Sequence, residues 1–150
     1  VEEYGRKYCE EELFGDESLL TRSDYSLIAF RHKEYERKAA RSANRVVISD
    51  TNAFVTGFYE YLYEGEIDPI VESMISQESY DLVIYLDNDV PWVNDGMRCH
   101  GTNELRKNTK ETFEYLLERY NIDFVKVNGD YGERLQQVFD LVKTSMEKVR

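Results

Sequence analysis

The sequence predicts an α/β fold in three layers, with a mostly parallel sheet lying between two layers of helices. Three observations carry that expectation. Short apolar runs, "RVVISD" (45–50), "DLVIYL" (81–86) and "DFVKVNG" (123–129), alternate with longer segments whose apolar residues recur at helical spacing. A length of 150 residues suits a single domain, 1–150, with a core of its own. Polar clusters follow the apolar runs, which is where parallel α/β sheets hold their ligands.

The chain opens on the polar cluster "VEEYGR". "RSDYSLIAFRHKEYERKAARSAN" then sets Tyr25, Ile28, His32, Tyr35 and Ala39 on one helical stripe, with Ser23 or Asp24 as the expected N-cap. "RVVISD" is β-branched and reads as a buried strand. In "NAFVTGFYEYLYEG", Phe54, Phe58 and Tyr61 mark a second helix closed by Gly65. "IDPIVESMISQ" begins a third, Asp68 capping it and Pro69 taking the first helical position.

"DLVIYL" is the next strand. A helix follows with Phe113, Leu116, Leu117 and Tyr120 on one face, then the strand "DFVKVNG". Leu135, Val138, Phe139, Val142 and Met146 define a last amphipathic helix. Strand and helix in alternation imply right-handed βαβ units. No repeat, low-complexity segment or linker interrupts them.

Composition narrows the function classes. With 41% hydrophobic and 33% charged residues, the chain reads as globular and soluble. Net charge is −11, from 30 acids against 19 bases, which speaks against a nucleic-acid surface. A nucleotide pocket stays open to it, because a few arginines and Mg²⁺ invert a local field. No run approaches the ~18 apolar residues of a membrane helix. The acidic N-terminus is no signal peptide, and it lacks Met, so an upstream segment is expected. Cys9 and Cys99 form no CxxC motif and are expected to be free thiols in a reducing cytoplasm.

Each polar cluster has two readings. Asp50, ending an apolar run between Ser49 and Thr51, is either a Mg²⁺ carboxylate or a helix N-cap shared with Thr51. Trp92 in "VPWVNDGMR" either stacks on a ligand ring or covers the core. Asp95 either binds a sugar or makes the turn before Gly96. Arg98 and Arg106 either close over phosphates or are solvated. Cys99 and His100 are two adjacent ligand types without a second pair, a weak metal signal. His32 reads as a satisfied boundary residue. Glu3, Tyr4 and Arg6 bring an acid, a ring and a cation together, and Glu3 there could act as a general base. Tyr131 and Arg134 either line a purine pocket or make the turn into the last helix.

Taken in order, "EYGRKY", "SDY", "VVISDTNAF", "YEG", "DNDVPWVNDGMR…GTNELR" and "NGDYGER" resemble the ribosylnicotinamide kinase domain of NadR-type NAD-salvage proteins. The resemblance covers nearly the whole chain, and PWxxDGxR is its most specific element. It implies a sheet of the phosphate-loop nucleoside/nucleotide kinase type. The implied reaction moves the γ-phosphate of ATP, with Mg²⁺, to nicotinamide riboside, giving nicotinamide mononucleotide. Trp92 would pack on the nicotinamide ring and Asp95 would hold the ribose. Glu3, Tyr4 and Arg6 would face the acceptor, with Asp24 also binding it. Asp50 would serve the metal and the reacting hydroxyl. Arg98 and Arg106 would sit on a closing lid against the nucleotide, and Tyr131 near the adenine. Glu3 is the candidate base, with Asp24 and Asp50 as alternatives.

Two departures stand out. The family's DTD is Asp50-Thr51-Asn52 here, and no GxxxxGK[ST] phosphate loop occurs. In the usual strand order, 2-3-1-4-5, the absent strand would lie between "RVVISD" and "DLVIYL". Roughly two or three dozen residues, the span of a loop-bearing βα unit, are therefore expected upstream or from another chain. A sheet fully paired within these residues alone would contradict this. Adenylyltransferase or regulatory domains upstream are compatible with the resemblance. The competing functional readings are a kinase for another nucleoside or nucleotide, and a nucleotide-sensing module without turnover.

Overall fold

A computed structural model describes residues 1–91 and 103–148, with the side chains of Asn103 and Glu104 excepted. Trp92, Asp95, Arg98, Cys99 and His100 lie outside the described residues. The chain divides into two compact units, the first comprising Val1–Glu78 and the second beginning at Ser79.

Helices build the first unit. They are α1 (Tyr4–Glu12), α2 (Arg22–Ser42), α3 (Ala53–Glu64) and α4 (Pro69–Ser76), with a 3-10 turn at Glu17–Leu19. Local chemistry explains each boundary. Thr21 and Asp24 form a capping box at the start of α2, so the cap is Thr21 rather than Ser23 or Asp24. Asn52 caps α3 by accepting from the Val55 amide, and Gly65 closes it in the left-handed region at φ 80°. Asp68 caps α4 ahead of Pro69 as expected. Helix α3 packs against both α2 and α4. The core joins Tyr25, Ile28 and Ala29 to Phe54, Phe58, Val71 and Ile75. Gly57 permits the α3–α4 approach, because a Cβ there would lie 2.9 Å from Ile75 Cδ1 and 3.2 Å from Val71 Cγ1.

The second unit holds the sheet. Strands β1 (Ile84–Leu86) and β2 (Val125–Val127) pair in parallel, Ile84 opposite Val125 and Leu86 opposite Val127. Between them in sequence lies α5 (Asn103–Arg119), and α6 (Tyr131–Lys148) follows and packs on β2. This is the βαβ order the sequence predicts. Leu116, Leu117 and Val127 are buried, and Tyr85 stacks on Phe113 with ring centroids 5.0 Å apart. Leu135 and Phe139, expected on a buried stripe, are exposed.

The sheet is smaller than expected. Residues 45–50 form no strand, and Val46, Val47 and Ile48 are exposed. One parallel contact touches them. The Val1 amino group donates to the Ile48 carbonyl, and the Asp50 amide donates to the Val1 carbonyl at 2.8 Å. A strand exists through its ladder, and one residue of pairing does not make one. The described residues are thus mostly helical with a two-stranded parallel sheet, an α/β arrangement. No described helix is long and apolar enough to cross a membrane.

Candidate functional site

A partly open cleft in the first unit gathers residues from four places. Glu3, Gly5, Arg6 and Cys9 come from α1 and its N-cap; Tyr25 and Ile28 come from α2. Thr51, Val55, Thr56, Tyr59 and Tyr63 come from the start and face of α3, with Glu17 and Leu20 beside them. Its enclosed part measures about 70 Å³, room for a few water molecules or for one end of a larger ligand that extends out through its open side.

Two glutamates and one arginine give the cleft an acidic field. Glu3 and Arg6 form an ion pair at 3.7 Å, one helical turn apart. Glu17 accepts a hydrogen bond from the Tyr63 hydroxyl at 3.2 Å. Burial pushes the Cys9 thiol up to about 11, and the nearby charges of Glu17 and Glu3 push in the same direction. Tyr59 and Tyr63, one turn apart on α3, lie nearly parallel with centroids 6.4 Å apart and planes 13° apart. Flat rings beside carboxylates suit a planar, electron-poor or cationic group.

Thr51 marks the cleft independently. Its φ is 66°, a left-handed conformation that a β-branched residue adopts at a cost of roughly 1–3 kcal/mol. Such strain concentrates where geometry serves function. It turns the chain between the exposed Asp50 and the cap Asn52. The Glu78 carboxylate accepts from the Ala53 and Phe54 amides at 2.8 and 3.3 Å, so the start of α3 already holds an anion.

The other expected residues of this unit have structural partners. Tyr4 makes an edge contact with Tyr35, centroids 5.3 Å apart, outside the cleft lining. Asp24 accepts from the Tyr8 hydroxyl at 2.6 Å and from the Thr21 amide and hydroxyl at 2.7 Å. Partial burial opposes its ionisation, yet these hydrogen bonds together hold its carboxyl below the usual range. His32 is buried rather than at a boundary, its Nε2 lying 3.0 Å from Ser49 Oγ, and burial lowers its pKa. The sequence marks Tyr25 only as part of a helical stripe and Cys9 only as a free thiol, and it singles out none of Glu17, Tyr59 and Tyr63, because a cleft wall and a core stripe share one spacing.

In the second unit, charged side chains gather where β1 and β2 end. Arg106, on α5, donates to the Val90 carbonyl at 2.9 Å and to the Asn88 carbonyl. Asp87 pairs with Lys110 at 2.7 Å and lies 3.8 Å from Lys126. Desolvation resists its ionisation, but Lys110, the Asn88 amide and Lys126 keep its carboxyl below the usual range. Arg134 binds the Gly129 and Asp87 carbonyls, both at 2.8 Å, and pairs with Asp89. Tyr131 is exposed at the start of α6. No group of three or more metal-ligating side chains occurs among the described residues.

Residues 1–134 match the family model described as an AAA domain. The chain belongs to that family. It is also 40% identical over 149 residues to the trifunctional NAD biosynthesis/regulator protein NadR of Escherichia coli K12, covering 99% of this chain and 36% of that protein. The NadR protein of Salmonella typhimurium LT2 is 40% identical over 145 residues, 96% of this chain and 35% of that protein. The chain thus spans about a third of the length of these curated relatives. The sequence resemblance to NadR-type proteins is borne out across nearly the whole chain, and the AAA assignment supports a phosphate-loop type of nucleotide chemistry.

Proposed function

We propose that the complete protein phosphorylates nicotinamide riboside to nicotinamide mononucleotide with ATP and Mg²⁺, as a kinase of NAD salvage. The observation that carries this reading is the acidic, tyrosine-lined cleft, which brings Glu3 and Arg6 against the strained Thr51 turn. A nicotinamide ring in its riboside is cationic, so carboxylates and tyrosine faces favour it over neutral bases. Glu3 would accept the proton of the primary hydroxyl as it attacks. Arg6 would orient the Glu3 carboxylate through their ion pair.

Asp50 fits a magnesium role. It is exposed, at the turn beside the cleft, with hydroxyls at Ser49 and Thr51 on either side. Mg²⁺ needs only one or two protein carboxylates, its remaining positions being filled by water and phosphate oxygens. Bound there, the ion would neutralise charge on the transferring phosphoryl group. Arg98 and Arg106 are the proposed lid cations, and Arg106 must release the Asn88 and Val90 carbonyls to reach a phosphate. Trp92 and Asp95 are proposed on the acceptor, Tyr4 and Asp24 as supports of its pocket, and Tyr131 near the adenine.

The phosphate cradle is proposed to come from a segment outside these 150 residues. The exposed apolar run 46–48 is proposed as the edge against which such a strand would pair. Among the described residues, Val46, Val47 and Ile48 belong to no strand, which is compatible with that idea. These residues alone are then expected to show negligible turnover, since positioning supplies most phosphoryl-transfer catalysis. The relatives' greater length supports further domains, such as an adenylyltransferase or regulator, in the same protein.

The test is a phosphoryl-transfer assay on the complete gene product with ATP, Mg²⁺ and nicotinamide riboside, with uridine, cytidine and thymidine as competitors. Selective formation of nicotinamide mononucleotide is the expected result. Nucleotide binding without turnover on any acceptor would replace the kinase with a sensor.

A further inference from the structure

Two loops that leave the sheet at the same end share one set of charges. The first, residues 87–90, follows β1 and leads straight into Pro91 and Trp92. The second, residues 128–130, follows β2 and leads into α6 at Tyr131. Asp89 spans them, because one carboxylate oxygen accepts from the Gly129 amide at 2.7 Å while the other meets Arg134. Arg134 spans them a second time. Its Nε donates to the Gly129 carbonyl in one loop and its Nη2 to the Asp87 carbonyl in the other, both at 2.8 Å. The side chain is 11% exposed, so water competes poorly for these bonds. Gly129 has φ 94°, a conformation only glycine adopts readily, and it aims both its amide and its carbonyl into the clasp.

We propose that Arg134 is a positioning residue whose guanidinium, with Asp89, locks the loops after β1 and β2 into one body. A planar fork spreads its donors over two nitrogens and so reaches two backbone carbonyls and a carboxylate that lie apart, whereas the three donors of an ammonium radiate from one atom. The bonds go to backbone carbonyls, so they fix loop course rather than a side-chain rotamer. The clasp's purpose rests on the kinase reading above. The first loop feeds the segment carrying the proposed acceptor residues, and the second carries Tyr131 on the proposed adenine side. Locking them together makes the binding of either substrate set the geometry for the other. Arg134 touches no substrate in this account; it acts through the loops.

The experiment compares the complete protein with Arg134→Lys, Arg134→Ala and Asp89→Asn variants. Amide hydrogen exchange is read at Asn88 and Gly129, with Leu116, Leu117 and Val127 as core controls. Calorimetry gives the affinity for nicotinamide riboside in the presence and absence of a non-hydrolysable ATP analogue. Expected for each variant is faster exchange at Asn88 and Gly129 together, by about tenfold, with the core amides unchanged. Arg134→Lys combined with Asp89→Asn should add little to either alone, as for one shared unit. The ATP analogue should strengthen riboside binding to the unaltered protein, and that strengthening should fall by about fivefold or more in each variant. Uniform acceleration of core and loop amides, or two loops that respond separately, would overturn the clasp. Unchanged linkage between the two ligands would overturn its positioning role. If the unaltered protein binds neither ligand, the kinase reading falls, while exchange still decides whether the loops act as one.

Discussion

Glu60 has no exposed surface at all, and neither carboxylate oxygen makes a hydrogen bond of ordinary geometry. Burial pushes its carboxyl above the usual 4.5, a push that the Asp68 backbone and Arg22 offset in part and the charges of Asp68 and Glu64 reinforce. A carboxyl raised on folding stabilises the fold below its unfolded value of 4.5. That contribution is lost as pH rises from there through the folded value. Glu60→Gln should therefore raise stability at pH 8 by about 1 kcal/mol and leave it nearly unchanged at pH 4, measured by thermal melts at both. A variant less stable at pH 8 would show that the carboxylate has a partner there. Nothing in "GFYEYLYEG" marks Glu60 as buried, since the same spacing fits a solvated face. Glu3 and Arg6 were legible because three chemistries sat within four residues. The φ of Thr51 was not, since a backbone angle forced by the turn leaves no trace in residue type.

Helix α3 carries much of the first unit, lining the cleft with one face and meeting α4 with another. Its start depends on Asn52 and Glu78, and its packing on Gly57. Asn52→Ala should cost about 1 kcal/mol through loss of the cap. Gly57→Val should cost more, roughly 1–3 kcal/mol, because its side chain must displace Ile75 and Val71. Urea unfolding of both variants checks the order, and a Gly57→Val protein as stable as its parent would contradict the close approach. These helices were legible from the sequence because caps and periodicity act within a few residues. Strands were half legible for the opposite reason. "LVIYL" and "FVKV" find each other, whereas "RVVIS" has the composition of a strand but, among the described residues, backbone bonds from Val1 alone beside it, so it forms no strand and its apolar side chains stay exposed. At position 52, where the family pattern has an acid, Asn52 keeps the capping role that an Asp would also fill.

Over the whole molecule, 30 acids face 19 bases, and the proposed acceptor cleft shares that bias. An anionic cleft attracts a cationic riboside and repels free phosphates until Mg²⁺ and arginines balance the field. Chain-wide order and composition made the α/β class and the NadR likeness visible. They could not reveal the cleft, which depends on how α1, a helix of nine residues, sets Glu3, Arg6 and Cys9 beside residues of α2 and α3 far away in sequence. The central claim is that this cleft holds the acceptor and that Glu3 takes its proton. The most direct measurement is the kcat for nicotinamide mononucleotide formation by the complete protein and its Glu3→Gln variant, with ATP affinity measured alongside. The expected result is a loss of about 10²–10⁴-fold in kcat with ATP affinity unchanged. A Glu3→Gln protein as active as its parent would contradict it.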